Sequence, residues 1–335
     1  MRKTIILAVL TITLSLSTQA QIEHIFAAKE DASTYVEHYL SPAINGLMYD
    51  LNNGWYSRSK THKKFGFDVS FTASVAIIPD NEKYFQFVAS EYDNLSLQGG
   101  DGLLPTIAGN ETNDVLETTV SGVALPINAL DGYGDKWLKE FFIPISIPTP
   151  MIQAGFGLPF NTDIKLRFFP NTEREGIAFN LFGLGLKHNI SQYFTKSDKD
   201  LFTLSALGAF TKTNVTYSPN AANIPGSNQT LEIDIQAYTA QAIAGVNLKI
   251  INFYLGFGYV GGTTDLGVKG TYNFDLTGDG ITDIPVDDPF DLNFEMTGFK
   301  TTLGTRFNLG PVKIFGDYTF QEYPSITAGV AYSMR

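Results

Sequence analysis

The sequence predicts an all-β protein, an antiparallel transmembrane β-barrel with an even number of strands between 10 and 14, preceded by an N-terminal, partly helical hatch or plug. Three observations carry that expectation. Apolar and polar residues alternate with period two in long runs from Lys64 onward. The last segment, Ser325 to Arg335, is itself an alternating strand, placed where a barrel would close its last strand on its first. The first twenty residues read as an export signal.

Taken in order, residues 1–20 are expected to be a cleaved signal peptide. Arg2 and Lys3 give a positive start, Ile5 to Leu16 a short apolar stretch, and Thr18-Gln19-Ala20 small residues at the cleavage position. That stretch is shorter than the roughly 20 apolar residues of a membrane-spanning helix. The chain has no cysteine, which excludes a lipid-modified N-terminal cysteine and any disulfide framework. The expected location is the outer membrane of a Gram-negative bacterium.

Residues 21–58 form the expected hatch or plug segment. Within it, Ala32 to Tyr56 does not alternate; Val36, Leu40, Ile44, Leu47, Met48 and Leu51 recur at helical spacing. Pro42 and Gly46 are expected to break the run, and Asp31 or Ser33 to cap its start. Such a segment either packs at the barrel mouth as a plug or lines the path of a ligand.

Residues 59–335 form the expected barrel. Phe65, Phe67, Val69, Phe71, Ala73, Val75 and Ile77 alternate with smaller or polar residues, as lipid-facing positions alternate with lumen-facing ones. Strands are expected near 64–79, 150–158, 162–169, 175–188, 201–217, 231–248, 252–274, 292–309, 312–320 and 325–335, with two or four more between Tyr84 and Thr149. Two segments switch phase. The apolar set of Leu231–Leu248 is odd through Ala237 and even from Ala240, and that of Leu292–Leu309 is even through Gly298 and odd from Phe299. A β-bulge explains such a slip, and so does a strand that leaves the membrane into an extracellular loop. Ile250-Ile251 and Gly310-Pro311 are tight enough for periplasmic turns, whereas Ser218–Gln229 and Asp275–Asp291 are long and polar. Asn189 to Asp200 is long although the count places it on the periplasmic side. A soluble β-sandwich is the alternative, since alternation alone does not distinguish lipid from a core.

Composition agrees with a barrel. Charged residues make up 17% of the chain and aromatics 13%, against about a quarter charged in soluble domains. Removing Arg2 and Lys3 from the 23 Lys+Arg leaves 21 against 34 Asp+Glu, a net charge of −13 that repels nucleic acid. The expected partners are outer-membrane lipids and lipopolysaccharide, the barrel-assembly machinery during biogenesis, and a small hydrophobic ligand.

The order of parts, with Ser41-Pro42-Ala43-Ile44-Asn45-Gly46-Leu47 ahead of the first strand, resembles the FadL-type outer-membrane transporters of hydrophobic compounds, whose hatch carries an Asn-Pro-Ala-Gly-Leu-like motif. The chain also looks like related uncharacterised outer-membrane β-barrels. Ser41 stands where the family has Asn, two extra residues separate Ala43 from Gly46, and the chain is shorter than the 14-stranded members. The resemblance implies passive uptake of small hydrophobic, fatty-acid-like molecules, with Pro42, Ala43, Ile44, Leu47 and Met48 along the path. The alternative is a structural or surface-binding barrel without a conduit.

No cofactor is expected to be required. A structural Ca²⁺ site is expected at the 275–288 loop, where Asp275, Thr277, Asp279 and Asp283 offer oxygens and Ile281 its carbonyl, with Gly280 at the sharp turn. The bidentate Glu is missing, leaving Asp287 or Asp288 to substitute; an ordinary hairpin loop reads the same way. Catalysis is not expected. A lipid hydrolase would need one of His24, His38, His62 and His188 beside a nucleophile, but no G-x-S-x-G motif accompanies them. Asp68, Lys165, Arg167, Lys300, Arg306, Lys313 and Asp317 are lumen candidates of mixed sign, suited to locking a plug or shaping a polar path.

Overall fold

The computed structural model describes residues 30–120, 123–134, 136, 146–174, 176–194, 201–219, 225–274 and 284–334. One helix, α1 (Glu30–Leu51), precedes the first strand, β1 (Phe67–Ile77). Five short strands follow: β2 (Tyr84–Gln86), β3 (Leu95–Leu97), β4 (Leu103–Pro105), β5 (Val115–Val120) and β6 (Val123–Asn128). The long strands come next, β7 (Ser146–Leu158), β8 (Thr162–Arg174), β9 (Ile177–Asn189), β10 (Phe202–Tyr217), β11 (Gly226–Asn247) and β12 (Ile251–Phe274). After the short β13 (Ile284–Asp287), the chain completes β14 (Phe290–Leu309), β15 (Val312–Phe320) and β16 (Ser325–Met334).

Ten of these strands close into an antiparallel barrel, β1-β7-β8-β9-β10-β11-β12-β14-β15-β16, with β16 paired back to β1. Ala73 of β1 sits between Ala328 and Pro150, so no edge is left open. Alternation decides which side faces what. Asp68, Ser70, Thr72 and Ser74 point into the lumen and are buried, while Phe67, Val69 and Phe71 are exposed on the outside. The same division holds at Leu166 and Phe168, at Leu184 and Leu186, and at Phe253, Leu255 and Phe257, all of them outside and exposed. An apolar exterior around a polar interior is a transmembrane barrel and rules out the sandwich, whose apolar face would be inside. No described helix is long and apolar enough to cross a membrane.

The phase switches have a single cause. β11 is regular through its switch, and its only register shift lies further up, between Ser227 and Thr230. Its inward residues stay odd-numbered throughout. Ile235 and Ala237 are buried, and so are Thr239 and Gln241 below them. Outside, Glu232 is exposed above Tyr238, Ala240, Ala242 and Ala244. β14 repeats the pattern, with Phe290, Leu292, Phe294 and Met296 inside at the top and Phe299, Leu303 and Phe307 outside below. The strands therefore overshoot the bilayer, and their apolar set moves from the lipid face to the lumen face as they leave it. From Phe299 to Leu309 a strand tilted by ~40° rises ~26 Å, the height of a bilayer's apolar band.

One end of the barrel carries the start of β1, the tight turns before β8, β12 and β15, and the end of β16. The loop after Asn189 lies at this end too, opening with a single turn at Ser191–Tyr193 tied down by hydrogen bonds from Ser191 N to Asn189 and from Leu204 N to Ser191 Oγ. Apart from that loop, the longer connections gather at the other end, which also holds the two-residue connection between β8 and β9; short turns otherwise mark the periplasmic side and long loops the extracellular one.

Among its described residues, the region between Tyr84 and Thr149 adds no extra strand pairs to the barrel, contrary to expectation. Its short strands form two small sheets, β2–β4 and β3–β5–β6, at the extracellular end, and only β7 at its close enters the wall. Runs of three to six residues cannot span a bilayer, which takes about 9–11. These sheets form a lid packed on the outer end of α1.

Candidate functional site

The candidate site is the plug. α1 is unbroken through Pro42 and Gly46, contrary to expectation. Proline removes one N–H but leaves the rest of the helix bonded, and Ser41 Oγ donates to Glu37 O at 2.9 Å beside it. Nor does Asp31 cap α1. Its carboxylate instead accepts the N–H groups of Asp93, Asn94 and Leu95 in the lid. Tyr39 Oη donates to Asp131 O at 2.8 Å, and Leu130 N donates to Tyr35 Oη at 3.0 Å, tying the helix to the chain after β6. Burial pushes the Tyr35 phenol well above its ordinary pKa, so it remains a neutral partner there. The N-terminal end of α1 thus lies at the extracellular end, and its C-terminal end lies deep in the barrel.

Around the outer part of α1 the lumen is apolar. Ile44 and Met48 are buried in one cluster with Ile235, Val260, Leu266, Leu292, Phe294 and Met296 of the wall, and Val36, Leu40 and Leu47 pack against it. Pro42 is buried; Ala43 and Leu47 are half-buried. The structure therefore gathers all five predicted hatch residues on one helix inside the extracellular half of the barrel.

Below Met48 the lumen becomes polar, and the barrel wall grips the plug. α1 has no basic residue in its own last turn to meet the partial negative charge of its C-terminus. The wall supplies two. Arg167 of β8, fully buried, donates from Nη1 to Leu51 O at 2.8 Å, from Nη2 to Asn53 O, and from Nε to Gln153 Oε1 at 3.1 Å. Its guanidinium also lies 3.8 Å over the ring of Trp55. Lys300 of β14 donates to Asn52 O at 2.7 Å and Asn53 Oδ1 at 2.9 Å. At the top of β1, Asp50 accepts Ser74 Oγ at 2.7 Å and Ala76 N at 2.8 Å.

After Gly54, whose φ of +71° suits the turn off the helix, the chain descends the lumen without regular secondary structure. Glycines in the wall make room for its aromatics. A Cβ added at Gly185 would meet the Trp55 ring at 3.0 Å, and one at Gly256 would meet Tyr56 Oη at 1.9 Å. Gly185→Leu is expected to displace the indole and cost about 1–3 kcal/mol, read as a lower urea midpoint with the barrel still heat-modifiable on gels. Further down, Ser59 bonds Thr203, and Lys187 donates to the carbonyls of Arg58 and Lys60 at 3.3 and 3.0 Å. His62 closes the lower lumen. Nε2 lies 3.1 Å from Asp68 and Nδ1 3.2 Å from Asp163, whose other oxygen accepts His62 N at 2.8 Å. Lys187 approaches Asp163 to 3.4 Å.

Of the seven lumen candidates, Asp68, Arg167, Lys300 and Arg306 hold the plug, the first of the two roles their mixed signs left open, Arg306 by donating to Ser57 Oγ at 3.0 Å. Asp317 instead accepts Tyr254 Oη at 2.8 Å within the wall. Sequence reasoning missed Asp163, Lys187 and Arg58, and gave His62 no role. The signal available was their position: Asp163 and Lys187 are polar residues on the inward register of β8 and β9. His188, another of the four histidines, contacts Thr162, Gln192 and Tyr193 at the periplasmic rim, with no hydrogen bond to a carboxylate among the described residues.

The signal segment and Asp275, Thr277, Asp279, Ile281 and Asp283 lie outside the described residues. At the edge of that loop, Asp287 accepts Thr271 Oγ1 and Asp288 accepts Gly270 N. Among the described residues no group of three or more His, Asp or Glu side chains is placed to hold a metal.

A family model described as "Family of unknown function (DUF6588)" matches residues 1–334. The chain belongs to that family. No curated relative matches the sequence. Among solved structures the chain is similar to Ail, the attachment invasion locus protein of Yersinia pestis, at 9% identity and a TM-score of 0.29, covering 81% of this chain and 100% of that one. It is similar to the translocator domain of the autotransporter NalP from Neisseria meningitidis at 10% identity and a TM-score of 0.31, covering 92% and 99%. A Pseudomonas aeruginosa FadL homologue gives 11% identity and a TM-score of 0.22, covering 81% and 88%.

Proposed function

We propose that this DUF6588 protein is a non-enzymatic barrel of the Gram-negative outer membrane, exported with a cleaved signal peptide, that admits small hydrophobic molecules passively past its plug. One observation carries the reading. The extracellular half of the lumen is lined by apolar side chains around the Ile44–Met48 face of α1, in a protein whose lower lumen is mostly polar apart from a patch at Trp55, Tyr56, Leu207, Ile243 and Tyr254. An apolar solute, held back by the polar lipopolysaccharide layer, gains free energy by entering that chamber. Passage further requires α1 to shift, because the segment from Trp55 to His62 fills the lumen beneath it. The Ser41–Leu47 resemblance to FadL-type hatches supports the same reading.

A second reading, a barrel without a conduit that presents its lid to the surroundings, draws on the number of buried bonds pinning the plug at Arg167, Lys187, Lys300 and His62. Uptake of a fluorescent fatty acid into proteoliposomes separates the two. The wild type is expected to exceed empty liposomes severalfold, and Ile44→Asp/Met48→Asp to fall to background while remaining heat-modifiable. Wild-type uptake at background would favour the conduit-free barrel.

A further inference from the structure

At the periplasmic rim, a cavity of about 550 Å³ opens between the plug and the β14–β16 corner, lined by Arg58, Lys313, Pro311, Ser333, Tyr332 and Met334. Its two charged residues are both cations. Arg306 does not line the cavity but is close enough that its charge and theirs repel one another. Arg306 is buried, and although Nη1 reaches Ser57 Oγ, its Nε and Nη2 have no hydrogen-bond partner. The nearest carboxylates offset part of this charge, Asp68 acting on both Arg58 and Arg306 and Asp163 on Arg58. Asp68 and Asp163 face Arg58 but are engaged by His62, and Asp163 also by Lys187.

Two cations line the cavity, with Lys313 Nζ also donating to Gly310 O, and a third cation with unpaired donors lies behind them; together they make an anion site. The geometry points to an anionic phospholipid headgroup as its occupant. Guanidinium groups match phosphate oxygens with paired N–H donors, and a lysine adds a point charge. The position selects the lipid source. Tyr332 and Met334 face outward and are about half exposed, at 47% and 48%, so one wall of the cavity is the bilayer-facing surface of β16. A headgroup phosphate at that depth reaches Arg58 and Lys313 while its acyl chains lie along Tyr332 and Met334. Because Arg58 belongs to the plug and Lys313 to the wall, a bound lipid would bridge the two.

Native mass spectrometry of the full chain in mild detergent tests this, titrating phosphatidylglycerol, phosphatidylcholine or inorganic phosphate. One phosphatidylglycerol is expected to bind at least tenfold more tightly than phosphatidylcholine, and Arg58→Gln/Lys313→Gln to remove that preference. Equal binding of the two lipids, or a preference unchanged in the double variant, would overturn the site. Saturation by inorganic phosphate that excludes phosphatidylglycerol would overturn the lipid as occupant. Should the double variant fail to show the heat-modifiable form, Lys313→Gln alone is expected to weaken phosphatidylglycerol about threefold, and an unchanged affinity would reject the proposal.

Discussion

Arg167→Ala is expected to lower the unfolding free energy of the barrel by about 3–5 kcal/mol, the largest loss from any single side chain in the lumen. Two buried carbonyls at the end of α1, Leu51 O and Asn53 O, would lose their donors, at about 1–3 kcal/mol each. Trp55 would lose the cation over its ring, worth about 1–2 kcal/mol when desolvated. Arg167→Lys keeps the charge but not the fork, and is expected to recover less than half of the loss. Lys64→Ala, on the plug's exposed exit from the barrel, should change stability by less than about 0.5 kcal/mol. Urea titration, read by gel mobility and tryptophan emission, measures all three. A deficit for Arg167→Ala below about 1 kcal/mol would mean that the plug is not held by the C-terminal end of α1.

These anchors show where sequence reasoning works in this fold and where it stops. The ten strands were legible because each must present an apolar face to lipid, which writes itself as period two over nine or more residues; observed limits differ from the expected ones by a few residues. The helix was legible from Val36, Leu40, Ile44 and Met48 for the same reason, applied to period 3.6. The phase switches of β11 and β14 were visible too, and their meaning follows once α1 is in place: Ile235 and Phe294 point at a helix and not at lipid. The lid was not legible, since β2 to β6 are too short for periodicity to accumulate. The grip on the plug was only half legible. Alternation puts Arg167 and Lys300 in the lumen, but nothing local indicates that they meet main-chain carbonyls 116 and 248 residues away. Asp163 and Lys187 were missed because each lies near a periplasmic turn, where a charged residue is unremarkable until a plug is seen to pass it.

Locking α1 to the wall is expected to abolish uptake of a hydrophobic probe and to do so reversibly. The natural chain has no cysteine, so a designed pair forms without competition. Met48 and Gly262 suit the purpose: a Cβ built on Gly262 of β12 lies 3.3 Å from Met48 Cβ, near the ~3.5–4.5 Å spanned by a disulfide. Met48 belongs to the apolar helix face, and Gly262 to the strand it packs against, so Met48→Cys/Gly262→Cys fastens the one part that the uptake reading requires to move. Oxidised protein should transport a fluorescent fatty acid at the empty-liposome rate, and reductant should restore most of the lost rate. Each single-cysteine variant controls for the loss of the Met48 side chain and for the new side chain at Gly262. Equal uptake with and without reductant, at full cross-linking, would show that solute passes without displacement of α1. Because the lock acts on the helix and leaves Arg58 and Lys313 untouched, it leaves the rim lipid site intact. The two proposals therefore stand or fall on separate measurements.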